Sequence, residues 1–448
     1  MKHLIIYLSF ITLFFTGCST DPESDNYAFP TTISGQVLGT GGVALDNAKV
    51  TLESDKTIFV FTDSKGFFRL DNVAKQKHNV IIERIGYAAA TVAVPSAVNN
   101  ISTVVATLIK SNIIAPTEKP VSKGMVRINK KVLEVDFERD GTYTPFVIKG
   151  VAYSVASITT ANFSYTKQTD RAFQWLVPLN ANTIRTYSGV DLHTLNVAAA
   201  SNIRVIVSFW VDYAANLSDP AVRKKMIDDF SKLVLTYKDH PGVLMWNLGN
   251  EQNYQNGNNA NWYSLCQEMA KAAYEIEGEN YHPVSINNGN TFNIGNASFK
   301  ADDNTLTYID LWAMNAYDPT MTNVLNRYSS LSNKPCVITE FGIDALNHNT
   351  KLEYEKTQAD FDSTNWVQIR TKSDFCVGAT VFEFTDEWWK AENPTSHDFG
   401  GYATGAHPDG YSNEEWWGII AISPDATNDG LDEWRPRLAY YMFQRLWK

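Results

Sequence analysis

The sequence has few cysteines and histidines for its length, with 4 Cys and 8 His in 448 residues. Three of the cysteines, Cys266, Cys336 and Cys376, match neither a metal-binding spacing nor a disulfide framework, so we expect buried free thiols. Basic residues are fewer than acidic ones: the sequence has 38 Lys and Arg and 49 Asp and Glu, which gives a formal net charge of −11. Together with 12 Trp, 21 Tyr and 23 Phe, this balance argues against a nucleic-acid partner and for a neutral partner that stacks on aromatic rings.

The N-terminus is typical of an exported protein. A basic start precedes an apolar run from Leu4 to Thr16, too short to span a bilayer, so residues 1–17 are predicted to be a signal peptide. The run ends at Phe15-Thr-Gly-Cys18, which resembles a bacterial lipobox with Cys18 as the acylated residue. The acidic tether that follows, residues 18–30, resembles the surface-export signal of Bacteroidetes-type lipoproteins. We therefore expect a lipid anchor in the cell envelope, at the outer membrane and surface-exposed; the alternative is an ordinary signal with an incidental Cys.

A chain of 448 residues suits two or three domains. Residues 31–110 contain short alternating segments between turn signals, which predict a small antiparallel sandwich. Within it, Thr62–Gly66 is interpreted as a hairpin turn. The pattern resembles carboxypeptidase regulatory-like domains, and a spacer role is favoured over carbohydrate binding. Residues 111–124 contain Pro116 and Pro120 and are predicted to be a linker.

Residues 125–448 are predicted to form the second domain. A hairpin at 125–136 is expected to cap its bottom, and strands then alternate with helix-length segments, the signature of parallel βα units. The fold prediction is therefore an α/β chain, a (β/α)8 TIM barrel preceded by a small all-β sandwich. The eight predicted strands are Phe146–Ser154, Thr183–Tyr187, Arg204–Trp210, Val243–Leu248, Pro283–Asn287, Ile309–Asn315, Cys336–Thr339 and Gly378–Phe384. Helices are predicted at Asp219–Tyr237 and Asn261–Glu277.

Two of these strands end on a glutamate, Glu251 after the fourth and Glu340 after the seventh. Strands so placed face each other across the mouth of a barrel, where chemistry occurs in this fold. We expect the carboxyls to approach to ~5–5.5 Å, the separation of a retaining double displacement. Glu340 is then the predicted nucleophile and Glu251 the predicted acid/base. For one glutamate alone, capping of the next helix would explain the position; for two, function is favoured.

Other strand ends carry candidates that support these glutamates. Asn250 suits a hydrogen bond to the sugar 2-hydroxyl. Arg185 is placed to hold Glu340 ionised, although a structural ion pair predicts the same contact. Tyr317 is predicted to donate its hydroxyl to Glu340, with packing at the rim as the alternative. Tyr153, at the end of the first strand, is a further substrate-binding candidate.

The eighth strand adds aromatic and acidic candidates. Trp388 or Trp389 is predicted to form a stacking floor for a pyranose ring, and one of the pair is expected only to pack. Glu383, Asp386 and Glu387 are further carboxylates near the site, predicted to bind sugar hydroxyls; the alternative is that one of them takes over a catalytic role. Trp416 and Trp417 are either a subsite wall or core, and the residues alone leave both open.

The motifs around these residues resemble those of known enzyme families. Asn250-Glu251 and Glu340 resemble the hallmark of clan A retaining glycoside hydrolases. Trp246–Glu251 and Ile338–Asp344 resemble family 2 catalytic barrels, whereas Phe146–Tyr153 and Asn182–Tyr187 are similar to the fungal β-1,3-glucanosyltransferases of family 72. The resemblance covers residues 125–448. It implies the acid/base role for Glu251, the nucleophile role for Glu340 and supporting roles for Arg185, Asn250 and Tyr317.

The expected activity is that of a retaining β-glycosidase acting on an oligo- or polysaccharide, with a β-glucan, β-1,3-linked, as the favoured substrate. The domains that precede a typical family 2 barrel are replaced by one small sandwich, which favours an open, endo-acting cleft. A transglycosylase using the same intermediate and a non-catalytic surface glycan-binding lipoprotein remain alternatives. A lyase or aldolase would usually need a metal cluster or a Schiff-base lysine at a strand end. Lys149 lies within a strand and the histidines are scattered, so neither metal nor cofactor is expected, and the oligomeric state is left open.

Overall fold

The computed structural model describes residues 27–111, 116, 119–154, 158, 163–254, 259–391 and 393–448. These residues form two compact units, the first comprising residues up to Ile82 with Ala89–Leu108, the second comprising Glu83–Ala88 with Ile109–Lys448. The predicted signal peptide and acylation site, Cys18, lie outside the described residues. Within the described part of the chain, no helix is long and apolar enough to cross a bilayer.

The first unit consists of two β-sheets whose strands bury alternate residues. Its strands are β1 (Thr32–Gly39), β2 (Lys49–Leu52), β3 (Asp55–Phe61), β4 (Phe67–Asp71), β5 (Asn79–Glu83), β6 (Ala90–Ala93) and β7 (Ile101–Leu108). One sheet has the order β4-β1-β7 and the other β3-β2-β5-β6. Ile33, Val50 and Val80 are fully buried, as expected where one face of each sheet packs on a core and the other faces water.

Two details of this unit differ from the sequence-based prediction. Strand β1 pairs with β7 in parallel, from Thr32 opposite Ile101 to Gly39 opposite Leu108, so the sandwich is not purely antiparallel. The turn at Asp63–Gly66 is tight, with the Asp63 carboxylate accepting the backbone N–H groups of Lys65 and Phe67. This turn connects β3 to β4, which belong to separate sheets, so it is not the turn of a hairpin. Turn chemistry is local and does not specify which strand the chain reaches next.

A short antiparallel sheet closes the N-terminal end of the barrel, as predicted. It contains β8 (Val126–Asn129), β9 (Val132–Val135) and β10 (Thr144–Pro145). Val126 and Leu133 share one buried cluster with residues near the starts of barrel strands, such as Ile148 and Leu311. The end of the predicted linker also packs on this unit, because Lys119 forms a buried ion pair with Asp310 (2.6 Å).

The second unit is a closed barrel of eight parallel strands, which confirms the predicted fold class. The barrel strands are β11 (Ile148–Ala152), β12 (Thr183–Arg185), β13 (Arg204–Phe209), β14 (Val243–Leu248), β15 (Val284–Gly289), β16 (Leu311–Asn315), β17 (Cys336–Glu340) and, after the short pair β18 (Leu346–Asn347) and β19 (Leu352–Glu353), β20 (Cys376–Val381). Every residue of β14 is buried, as expected for a parallel strand covered on both faces.

Helices cover the outside of the barrel. They are α1 (Tyr165–Leu176), α2 (Leu192–Ala200), α3 (Pro220–Tyr237), α4 (Asn259–Glu277), α5 (Met321–Ser329) and α6 (Glu355–Arg370). Helix α3 begins where predicted, because Asp219 caps the N–H of Ala221 and Pro220 occupies the first turn. Helix α4 ends before Gly278, whose φ of +63° permits the left-handed C-cap. Between β15 and β16 the connection contains only the short 3-10 helix Ala297–Phe299 among the residues described there.

The three cysteines are buried and free, as expected. Cys336 opens β17 and Cys376 opens β20, and the two residues are register partners on these neighbouring strands. Burial is the first cause that raises the pKa of the Cys336 thiol well above its ordinary value. Both side chains are fully buried, and buried free thiols pack as small apolar groups of a core.

The chain beyond β20 folds back over the mouth of the barrel. It contains the 3-10 helix Trp388–Lys390, the strands β21 (Gly401–Ala403), β22 (Tyr411–Asn413), β23 (Ile420–Ser423) and β24 (Glu433–Pro436), and helix α7 (Leu438–Leu446). A buried ion pair anchors this segment, since Arg437 donates to both oxygens of Asp386 at 2.6 and 2.8 Å. A ring stack anchors it as well, with His397 lying between Trp388 and Trp416 at centroid distances of 4.7 and 3.4 Å.

Candidate active site

Glu340 ends the fully buried strand β17 and points into the mouth of the barrel. Its Oε1 accepts from Arg185 Nη1 at 2.5 Å and from the Tyr187 hydroxyl at 2.9 Å. Its Oε2 accepts from the Tyr317 hydroxyl. Three donors from β12, β16 and the residues after them therefore fix the plane of one carboxylate, and charge-assisted bonds of this type are the strong ones.

Arg185 links Glu340 to its neighbour Asn250. The guanidinium is fully buried and stacks over the Tyr187 ring at 3.9 Å. Its second arm donates to Asn250 Oδ1 at 2.8 Å, and Asn315 Nδ2 donates to the same oxygen at 3.0 Å. Because both partners are donors, the Asn250 amide oxygen faces them and its nitrogen faces the cavity. That nitrogen donates to the Tyr213 hydroxyl at 3.5 Å.

The backbone before Glu251 turns sharply at the end of β14. Gly249 and Glu251 have φ values of +66° and +56°, a left-handed conformation that glycine adopts at no steric cost. A Cβ at Gly249 would lie 2.4 Å from Gln252 Oε1 and 2.7 Å from the Trp262 ring. Position 249 therefore requires glycine, and the turn that it permits brings Glu251 to the cavity.

Glu251 has the protonation expected of a general acid. Its pKa is raised to about 7, first by burial and then by the charge of Glu340, whereas a hydrogen bond from Asn315 acts in the opposite direction. A carboxyl with this pKa is protonated in a large fraction of molecules near neutral pH. It can therefore give up a proton and later take one back.

A polar network inside the barrel connects the strands that carry these groups. Asn287 Nδ2 donates to Thr339 Oγ1 at 2.6 Å and to Asn315 Oδ1 at 3.2 Å. One layer below, Asn247 Nδ2 donates to Ser208 at 2.9 Å and Ser285 donates to Asn247 Oδ1 at 2.8 Å. All these side chains are buried, so the network fixes the orientation of the amides that contact Asn250. Among these residues Asn287, Asn315 and Thr339 are the last residues of predicted strands.

The two glutamates line one cavity of about 470 Å³ at the C-terminal end of the barrel. Four carboxylates face it, from Glu251, Glu340, Glu387 and Glu414, and Lys390 is the one cation among the described lining residues. The remaining lining residues are Ser154, Tyr187, Ser188, Trp210, Asn250, Tyr317, Phe382, Trp389, Tyr402 and Trp417. The cavity is therefore aromatic and acidic.

The buried Arg185 and Asp386 and three further predicted site residues do not line this cavity. Tyr153 is 4% exposed and packs between Phe173 and Phe384, so it belongs to the core and not to the site. Trp388 is buried against His397, whereas its neighbour Trp389 lines the cavity, as expected for one of the pair. Glu383 lies behind the lining and contacts Lys390 instead of the open space. Tyr153 and Glu383 follow the ends of β11 and β20, and Trp388 and Trp389 belong to a 3-10 helix, so the direction of each side chain depends on irregular backbone that the strand pattern does not specify.

Several lining residues have no local signal in the sequence. Tyr402 lies on β21, and Glu414 follows β22 in the segment that folds back over the barrel. The sequence left two possibilities for Trp417, a subsite wall or the core. The residue is buried, lines the cavity and packs on Tyr317 with the ring centroids 4.9 Å apart. Tyr187 is the last residue of the second predicted strand and was not among the predicted site residues. Within the described residues, no group of three or more His, Cys, Asp or Glu is arranged to hold a metal ion.

Comparisons with known families agree with both units. Residues 32–109 match the carboxypeptidase regulatory-like domain, and residues 182–407, half of the chain, match the model "Glycosyl hydrolases family 2, TIM barrel domain". No curated protein sequence matches the chain.

Solved structures show the same fold. The β-D-glucuronidase of Dictyoglomus thermophilum has a TM-score of 0.51 at 16% identity, with 90% of this chain and 64% of that chain covered. The Ruminococcus gnavus β-glucuronidase bound to a C6-substituted uronic isofagomine has a TM-score of 0.54 at 16% identity, covering 90% and 63%. The GH2 β-galacturonidase of Eisenbergiella tayi bound to galacturonate has a TM-score of 0.53 at 14% identity, covering 90% and 66%. The chain thus spans less than two thirds of the length of these proteins.

Proposed function

Because the chain belongs to glycosyl hydrolase family 2 through the TIM-barrel domain in its second unit, we propose that it is a retaining β-glycosidase. Glu340 is the nucleophile and Glu251 the acid/base. One observation carries the proposal: Glu340 receives three hydrogen bonds at the edge of a cavity whose other wall holds Glu251, with a pKa of about 7. Two carboxyls in different protonation states are the requirement of double displacement.

The first step forms a glycosyl-enzyme. A Glu340 oxygen attacks the anomeric carbon, the bond from that carbon to the leaving oxygen breaks, and the Glu251 proton passes to the leaving oxygen. In the second step a water attacks the anomeric carbon, Glu251 takes the proton of the water, and the bond to Glu340 breaks. Two inversions return the β-anomer. In this proposal Asn250 donates to the sugar 2-hydroxyl during both steps.

The proposed substrate is a neutral β-linked glycan, with a β-1,3-glucan as the specific candidate. The resemblance of two strand regions to family 72 supports the linkage. The cavity supports a neutral sugar, since it combines acidic acceptors for hydroxyls with exposed rings at its rim. Trp210, Trp389 and Tyr402 are 41%, 62% and 56% exposed, and rings of this kind stack on the apolar faces of pyranoses. An open rim with several rings supports binding of a chain longer than one sugar.

The proposed location is the outer surface of the cell envelope, through a lipid on Cys18. The lipobox-like Phe15–Cys18 stretch and the acidic tether support this proposal. Metabolic labelling with a clickable fatty acid tests it in whole cells: the wild type is expected to be labelled and Cys18→Ala is not. Equal labelling of the wild type and Cys18→Ala would contradict a lipid anchor on Cys18.

A panel of glycans tests the activity. A soluble chain that begins after Cys18 is incubated with β-1,3-, β-1,4- and β-1,6-glucans, mannan and galactan, and the products are followed by mass and by NMR of the new anomeric centre. Cleavage of a neutral glycan with β-configuration retained is the expected result. Binding without cleavage across the panel would replace the hydrolase by a glycan-binding protein, and α-configured product would exclude double displacement.

A further inference from the structure

Lys390 is held by two glutamates at one side of the active-site cavity. Its Nζ lies 3.1 and 3.0 Å from the two oxygens of Glu383 and 2.7 Å from Glu387 Oε2. The side chains of Lys390, Glu383 and Glu387 are 12%, 4% and 4% exposed. The Ser154 hydroxyl donates to the other oxygen of Glu387. The ammonium also lies over the Phe382 ring at 4.1 Å, so its surroundings are closed on several sides.

The two glutamates occupy different positions relative to the cavity. Glu387 and Lys390 line it, whereas Glu383 lies behind them. With both carboxylates ionised, the cluster carries a net charge of −1; with one protonated, it is neutral. Burial and the charge of Glu387 raise the pKa of Glu383 well above its ordinary value, while Lys390 acts against them. In neither state does the cluster offer net positive charge to a bound sugar.

The other charged groups at the cavity add to this effect. Arg185 is buried and donates to Glu340 and Asn250, and the remaining lining carboxylates are Glu251, Glu340 and Glu414. A sugar with a carboxylate at C6 would enter a negative field with its one candidate cation already paired. A sugar with a neutral hydroxymethyl group could instead donate a hydrogen bond to Glu387.

We propose that Glu383 and Glu387 together determine specificity by keeping Lys390 neutralised, so that the site accepts neutral β-hexosides and rejects β-hexuronides. Glu383 touches no substrate in this arrangement and acts through Lys390, so it is a positioning residue. The inference rests on the proposed glycosidase function and narrows its substrate class. Rejection arises from an unfavourable charge placed against the wrong substrate, a common route to specificity.

The test compares 4-nitrophenyl β-glucoside with 4-nitrophenyl β-glucuronide, and the β-galactoside with the β-galacturonide, which differ within each pair only at C6. The wild type is expected to favour the neutral member. In Glu383→Gln/Glu387→Gln, which keeps the side-chain volumes and leaves Lys390 without a carboxylate partner, kcat/KM for the uronide relative to the hexoside should rise by roughly tenfold or more, equivalent to ~1.4 kcal/mol. Adding Lys390→Met should remove that gain, and Glu383→Gln alone should gain less because Glu387 still pairs with Lys390.

The outcomes separate this inference from the glycosidase proposal. A wild type that cleaves no glycan of the wider panel overturns the proposed function. A wild type that cleaves glycosides but prefers uronides overturns this inference alone. So does an unchanged ratio in folded Glu383→Gln/Glu387→Gln, or a gain that persists without Lys390.

A measurement on the wild type alone keeps the inference testable if Glu383→Gln/Glu387→Gln does not fold. Inhibition by isofagomine is compared with inhibition by its uronic counterpart at low and high salt. We expect the neutral compound to bind more tightly, and added salt to narrow the difference, because salt screens repulsion between charges. Equal or tighter binding of the uronic compound would overturn the inference.

Discussion

The Tyr317 hydroxyl donates to Glu340 Oε2, the oxygen of that carboxylate not bonded to Arg185. The Tyr317 ring packs on Trp417 at 4.9 Å and on Phe382 at 6.0 Å. Its hydroxyl and its ring therefore have separable roles, one in orienting the carboxylate and one in packing.

Tyr317→Phe should lower kcat while leaving the fold intact. A hydrogen bond to a charged group contributes about 1.5–3 kcal/mol, so kcat/KM should fall roughly 10–100-fold. Steady-state kinetics with circular dichroism as a folding control measures the effect. Unchanged kcat in a folded variant would leave Tyr317 as a packing residue only.

Glu340→Gln should abolish turnover because an amide does not form the glycosyl-enzyme. The neutral side chain retains the shape of the carboxylate, so glycan binding should persist. Isothermal titration with the cleaved glycan and an activity assay on the same sample measure both properties. Turnover near the wild-type level would require a different nucleophile.

The pKa of Glu251, about 7, predicts the basic limb of the pH–rate profile. The acid must be protonated to assist the leaving group, so kcat/KM should decline as pH rises through about 7. In Glu251→Gln the limb should disappear along with most activity on substrates with poor leaving groups. A basic limb that persists unchanged in the variant belongs to another group.

The same raised pKa predicts a stability effect. The folded state holds the Glu251 proton more tightly than the unfolded chain, whose pKa is near the ordinary 4.5. The contribution of Glu251 to the free energy of unfolding is therefore fully present below about pH 4.5, and it is lost as the pH rises through about 7. Glu251→Gln should raise the free energy of unfolding at pH 8 by up to about 3 kcal/mol and have little effect at pH 4. Denaturant unfolding at the two pH values measures this, and equal effects at both would contradict the pKa.

Arg437→Met should destabilise the barrel strongly. Arg437 and Asp386 are both fully buried, and removing one partner of a buried pair costs about 3–5 kcal/mol because the other charge loses its partner. Lys224→Met is the matched control, since Lys224 pairs with Asp228 on the surface and is 70% exposed. The control should change the free energy of unfolding by less than about 1 kcal/mol. Similar losses in both variants would contradict the expected role of the buried pair.

The strand-end glutamates and the eight strands were predictable because both depend on local sequence. A short apolar run followed by Asn250-Glu251 or by Glu340 identifies the end of a parallel strand. The face to which each neighbouring side chain points was less predictable. Tyr153 points to the helices whereas Ser154 faces the cavity, and irregular ends allow the alternation to shift by one residue.

Contributions from distant segments were not predictable. Tyr402 and Glu414 reach the cavity through β21 and β22, which follow the last barrel strand by many residues. Neither their periodicity nor their turn chemistry specifies the surface on which this pair packs. The partnership of Glu383 with Lys390 was missed for a related reason, because the short helix that brings Lys390 back to the strand has few local signals.

The paired thiols at the base of the barrel have a consequence for biosynthesis. Cys336 and Cys376 lie opposite each other on neighbouring strands and are fully buried. An oxidant reaches such thiols only when the strands separate. Their redox state is therefore decided by which event comes first, oxidation or closure of the barrel, and a chain that closes first carries both thiols reduced for the lifetime of the folded molecule.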